Sequence, residues 1–193
     1  MIADNTEIFT LSKTKRIKGS RRLAREKTLQ VLMSFNATLT PWTTLFSHIF
    51  FRDFNFEENE EIPDKLLTPE EVHELDADIP IIWEDDEIQF SRNLIEQTIE
   101  AQEYIDSLIK EFAQNWEFDR IALIDRILME IAIIELLKFP EIPPKVSINE
   151  AIDIAKKYST PKSGMFINGV LDAVHEKLKS QNLVNKTGRG LIE

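Results

Sequence analysis

The stretch IALIDRILMEIAIIELLKF, residues 121–139, decides the fold class. Ile121, Ile124, Ile127, Leu128, Ile131, Ile134 and Leu137 recur every three or four residues, which sets them on one face of an α-helix. The apolar arc is wide, so this helix is expected at the centre of a bundle rather than at its surface. Asp125, Arg126, Glu130, Glu135 and Lys138 interrupt the run. A membrane span needs about 20 mostly apolar residues, so none is expected here. Pro140, Pro143 and Pro144 end the helix.

Helical spacing continues on both sides. Upstream, Leu94, Ile95, Thr98, Ala101, Ile105, Leu108, Ile109 and Phe112 predict one long stripe. Downstream, Ser147-Ile-Asn-Glu150 has capping-box spacing, and Ile148, Ala151, Ile152, Ala155 and Tyr158 continue that helix. Thr160 to Gly164 reads as a turn. Phe166, Ile167, Val170, Leu171, Val174 and Leu178 then define a last helix. Near the start, Ser20 is the expected N-cap of a helix with Ala24, Thr28, Val31, Leu32 and Phe35 on one face, closed by Pro41. A second amphipathic run spans Trp42 to Phe54, and Thr68-Pro69-Glu70-Glu71 suggests a short helix start. No strand-like alternation of useful length and no fixed repeat is present. The expectation is an all-α bundle of six to seven helices over residues 20–180. A flexible basic arm (1–19), an acidic insertion at about 55–88 and a frayed tail (181–193) complete the expected organisation.

The composition narrows the function. A chain of 193 residues with 42% hydrophobic side chains can bury a core, which excludes a wholly disordered protein. Zero cysteines exclude disulfides, thiolate metal sites and cysteine nucleophiles. No signal peptide is recognisable, so a cytoplasmic protein is expected. Two acid-x-x-His pairs occur, Glu70 with His73 and Asp172 with His175, but the bundle faces that would supply bridging carboxylates are apolar. No nucleophile elbow or phosphate-cradling glycine loop is present. No catalytic residues, metal or cofactor are therefore expected.

The net charge of -11 hides a segregation. From Glu57 to Glu87 there are fourteen acids and one base, whereas Leu11 to Lys27 holds eight bases and one acid. Binding follows local potential, so an acidic chain can still hold a polyanion at one end. On a helix, Lys18, Arg21, Arg22 and Arg25 fall within an arc of roughly 100° beside the apolar face. Cations at a helix start oppose the macrodipole, and four of them suggest a binding purpose; the alternative is a solvated helix start. A second cluster surrounds the last turn: Tyr158, Lys162, Ser163, Phe166 and Asn168 offer an aromatic, a cation and hydrogen-bonding groups, a set suited to phosphate and unpaired bases. Equally, Phe166 can be core and Asn168 a buried amide holding the turn. Gly169 is expected to admit a neighbouring helix.

Three stretches together resemble the transcription antitermination factor NusB family. They are Arg21 to Met33, Phe118 to Leu136, and Pro144 to Asp172 with its Phe166-Ile-Asn-Gly-Val-Leu-Asp172 segment. The resemblance implies an all-α fold of two helical subdomains and binding of boxA-type single-stranded RNA. It also implies partnership with the ribosomal small-subunit protein NusE, within the transcription elongation complex on ribosomal RNA operons, and no catalysis. It places RNA contacts at Arg21, Arg22 and Arg25 and at Lys162 and Ser163, with Tyr158 and Phe166 nearby and Lys18 on the same basic stripe. It places the NusE-facing surface partly at Asp125 and Glu135. Lys162 stands where some relatives carry an acid, which implies a changed RNA affinity. Family members occur as monomers and as homodimers, and a homodimer could hide the basic face. Two alternatives stay open: a protein–protein scaffold without RNA binding, and the RNA-targeting domain of a ribosomal RNA cytosine methyltransferase, whose methyl-donor domain is not seen before Glu193.

Overall fold

The apolar stretch forms a helix walled in on nearly every side. In a computed structural model describing residues 17–38, 40–51, 81–113 and 117–191, seven α-helices are present. These are α1 (Arg21–Ala37), α2 (Trp42–Phe50), α3 (Asp85–Glu100), α4 (Gln102–Phe112), α5 (Leu123–Lys138), α6 (Pro144–Tyr158) and α7 (Ser163–Ser180). The all-α expectation holds, with one small addition: β1 (Ile17–Lys18) pairs in parallel with β2 (Ile81–Ile82). Helix α5 packs against α1, α3, α4, α6 and α7. Its Ile127, Met129, Ile133 and Ile134 are fully buried, each contributing about 1.5–3 kcal/mol at most relative to exposure. Helices α1, α2 and α3 pack together on one side, and α6 and α7 on the other.

Sequence expectation and structure part at several points, each for a physical reason. The long stripe from Leu94 to Phe112 is two helices, divided at Ala101 (φ -100, ψ 9). The break lets α3 lie on α1 and α5 while α4 lies on α5 and α7. Helix α6 starts at Pro144, not Ser147. Proline at the first helical position has no N–H to leave unpaired, so the capping box is unnecessary. Ser147 lies inside the helix and donates to Glu135 at 2.7 Å.

The tail does not fray through residue 191. Lys186 donates to the carbonyls of Glu135 (2.9 Å) and Phe139 (3.0 Å), neutralising the negative end of α5. The Thr187 N–H donates to Pro140 O at 2.9 Å. Gly190 is buried there, and a Cβ on it would lie 1.9 Å from the Pro140 carbonyl oxygen, so only glycine fits. Gly169, by contrast, has open space where its Cβ would be, so it admits no close helix. Asn168 is not a buried loop anchor; it donates to Asp172 at 2.8 Å on the surface of α7.

At the other end, Ile17 to Gly19 belongs to the fold. The Gly19 N–H donates to Ile82 O at 2.8 Å, which brings the basic segment beside the acidic start of α3. Residues 81–88, placed in the acidic insertion by sequence, form β2 and the first turn of α3. Lys13, Lys15, Arg16, the Thr68 helix start and the Glu70–His73 pair lie outside the described residues. No helix of the described residues is long and apolar enough to cross a membrane, and none of their His, Asp or Glu side chains group in threes as a metal site would require.

Candidate nucleic-acid interface

Ser20 caps α1 as expected, its Oγ accepting from the Leu23 N–H at 3.2 Å. That cap fixes where the four basic side chains emerge. None of them stands free of this chain's own carboxylates. Lys18 pairs with Glu84 (2.6 Å) and Arg21 with Asp86 (3.0 Å), because the β1–β2 pairing sets the start of α3 alongside. Arg22 holds Glu150 (2.8 Å) and Asp153 (3.0 Å) on α6. Arg25 is bound through Nε and Nη2 to both oxygens of Glu135, at 2.6 and 2.9 Å.

Burial separates these pairs. The Arg25 and Glu135 side chains are 5% and 1% exposed, so neither reaches a ligand. Arg25, expected as an RNA contact, and Glu135, expected as a partner contact, instead bond each other and, with Ser147, form a closed polar knot inside the core. The signal was present in the sequence. Arg25, Leu29 and Leu32 share one helical face, and Glu135 follows Leu128 and Ile131 at the same spacing. Lys18, Arg21 and Arg22 remain exposed, at 73%, 44% and 51%. Exposed ion pairs are worth about 0–1 kcal/mol, so a phosphate can exchange for the acid at little cost. Arg21 also lies 4.4 Å from the centre of the Phe90 ring, which orients it along the surface.

The second cluster sits on the same flank. Arg22 reaches the middle of α6, and Glu26, one turn further along α1, reaches its end. Glu26 accepts from Lys157 at 2.9 Å and from the Tyr158 hydroxyl at 2.6 Å. Long side chains therefore bridge the two helices, both of which pack on α5, and about 12 Å of helix rise separates Glu150 from Tyr158. Sequence reasoning missed Glu26, Glu150, Asp153, Lys156 and Lys157; only pairing across the α1–α6 contact reveals them. In the α1–α6 pairs made by Arg22 and Lys157 the acid lies deeper than the base: Glu150 is 16% exposed under Arg22, and Glu26 10% under Lys157. The outward face of the ridge is thus cationic. The partner acids raise the pKa of Arg22 and of Lys18, and hydrogen bonds from Tyr158 and Glu26 raise that of Lys157, so all three keep their charge. Burial, with the Glu26 hydrogen bond, pushes the Tyr158 hydroxyl up, so it remains a donor.

Beyond Tyr158 the turn is pinned. Ser163 is buried and donates to Asp125 at 2.7 Å while contacting Ser159 and Thr160. Ser163, expected as an RNA contact, and Asp125, expected as a partner contact, both face inward and hold the turn to α5. Phe166 is half-buried against the core, as its apolar spacing allowed. Lys162 is exposed at the turn, with no carboxylate partner among the described residues. The result is one ridge carrying Lys18, Arg21, Arg22, Lys156, Lys157 and Lys162, with the exposed ring of Tyr158 near its end. Such a surface suits a flexible polyanion bearing aromatic bases.

Known proteins share this sequence and fold. A model of the NusB family matches residues 22–176. The transcription antitermination protein NusB of Salinibacter ruber is 55% identical over 103 residues, which cover 53% of this chain and 64%, less than two thirds, of that protein. The protein of the same name from Desulfatibacillum aliphaticivorans is 35% identical over 168 residues, covering 87% of this chain and 98% of that one. A solved structure of antitermination factors NusB and NusE in complex with double-stranded RNA shares the fold, with a TM-score of 0.59 at 22% identity over 81% of this chain and 96% of that one. With the family match spanning most of the length and a full-length relative at this identity, the chain belongs to the NusB family.

Proposed function

We propose that this chain is an RNA-binding adaptor of transcription antitermination, with no catalytic step of its own. Its ligand is boxA-type single-stranded RNA, and its partner is a NusE-type ribosomal protein acting with it in the cytoplasm on the transcription elongation complex. The observation that carries the reading is the α1–α6 ridge, with cations outermost, acids beneath and Tyr158 at its end. The names of the relatives support it, as does the existence of a NusB–NusE complex containing RNA. Phosphates exchange for Asp86, Glu150 and Asp153 on Arg21 and Arg22, and Lys162 adds a contact that needs no exchange.

One observation favours a scaffold without RNA binding: every basic side chain at the described start of α1 already has an acid partner. Titration of labelled boxA-type RNA with and without NusE, across a salt series, separates the readings. The adaptor binds it more tightly than a scrambled RNA. The Arg21→Ala/Arg22→Ala variant flattens the slope of log affinity against log salt by about 1.4, at ~0.7 per phosphate contact. No RNA binding under either condition establishes the scaffold.

A further inference from the structure

Tyr158 is the last residue of α6, where the chain leaves the helix, and its ring is 40% exposed. An exposed tyrosine at a helix end normally exchanges rotamers, and a ligand that needs one of them must fix it on binding. Here the ring is fixed beforehand. Its hydroxyl donates to Glu26 Oε2 at 2.6 Å. The Lys157 ammonium bonds the same oxygen at 2.9 Å and lies 4.8 Å from the ring centre. Glu26 itself is 8% exposed on α1, so the anchor does not move with the helix end.

We infer that Glu26 is a positioning residue for RNA, holding the Tyr158 ring in a single orientation so that an unpaired base stacks on it. Lys157 covers one face of the ring, and the base takes the other. The inference rests on the RNA-binding reading and adds to it a specific base contact and the residue that prepares it.

Electrostatics and positioning make opposite predictions. Glu26 is an anion beneath a cationic ridge. On charge alone, its removal frees Lys157 and tightens RNA binding. If it positions the ring, its removal weakens binding. Base–aromatic stacking lost on alanine substitution corresponds to roughly five- to 150-fold in affinity, and a disordered ring forfeits part of that.

The test is equilibrium titration of the full chain, with NusE present, against labelled single-stranded boxA-type RNA over a salt series. Tyr158→Ala is expected to lose at least about fivefold. Glu26→Ala is expected to lose roughly three- to tenfold in the wild-type background and nothing further in the Tyr158→Ala background, because the two act as one unit. Glu26→Gln, which keeps an acceptor for the hydroxyl, restores most of the loss. Tyr158→Phe removes only the hydroxyl that bonds Glu26, keeps the ring and is expected to lose about two- to fivefold with an unchanged salt slope, since no phosphate contact is altered. Tighter or equal binding by Glu26→Ala and Tyr158→Phe overturns the inference while leaving the RNA reading in place. Failure of the wild-type chain to bind RNA at all overturns that reading, and the inference with it.

Discussion

Arg25 and Arg22 are three residues apart and have opposite roles, because burial decides what a guanidinium does. Around Arg25 two carboxylate oxygens, the Ser147 hydroxyl and the face of Phe90 close the site from water. Removing one member leaves a buried charge without its partner. Arg25→Ala is expected to lower stability by about 3–5 kcal/mol in urea unfolding, against at most about 1 kcal/mol for Arg22→Ala. Glu130 is the other costly carboxyl. It is 2% exposed, and burial pushes its pKa up to about 7, with the nearby Asp106 charge adding and Arg126 opposing. Asp106 is itself raised by burial, with Arg126, Lys110 and Glu130 facing it. A raised carboxyl binds its proton more tightly folded than unfolded, so its contribution is present at low pH and is lost as pH rises from about 4.5 to 7. His175, lowered by burial, acts in the opposite sense over part of this range. Thermal unfolding at pH 5 and pH 8 should therefore show Glu130→Gln gaining about 1–3 kcal/mol over wild type at pH 8 and little at pH 5.

At the scale of elements, the ends matter more than the middles. The last carbonyls of α5 have no partner within the helix; the tail that covers them supplies one through Lys186, and the Thr187–Pro140 bond holds that tail in place. Burial lowers the pKa of Lys186, which marks how far its ammonium is drawn from water. Gly190→Ala drives a methyl into the Pro140 carbonyl, and the tail must lift. A loss of about 1–3 kcal/mol is expected in thermal unfolding, with faster proteolysis after residue 183. Polar residues with two Gly read as a loose end from sequence because the partner of each lies in the Pro140 corner, some fifty positions earlier.

At the scale of the molecule, α5 acts as a spine that fixes α1 against α6 and so assembles the ridge. Charge on that ridge is layered rather than isolated, so on the proposed reading RNA would bind by exchange of counter-ions. Lys162 is the exception among the described residues, having no acid to displace. Lys162→Ala is expected to weaken boxA-type RNA binding and to flatten the salt slope by about 0.7, with unchanged urea unfolding; an unchanged slope would remove Lys162 from the interface.

Most of the helices, the central place of α5, the N-cap at Ser20 and the family were legible from local periodicity and residue chemistry, whereas the break at Ala101 and the start of α6 at Pro144 were not. It also located both halves of the ridge, at the start of α1 and at the α6–α7 turn. Which acid each base meets was settled by packing between helices, even where a helical face, as at Arg25 and Glu135, already pointed inward. Arg25, Glu135, Asp125 and Ser163 turned inward because their partners lie on other helices, 12 to 110 residues away, and no local pattern encodes that pairing. Glu26 and Lys157 entered the site for the same reason: packing of α1 and α6 on α5 brings them within reach across 131 residues of chain.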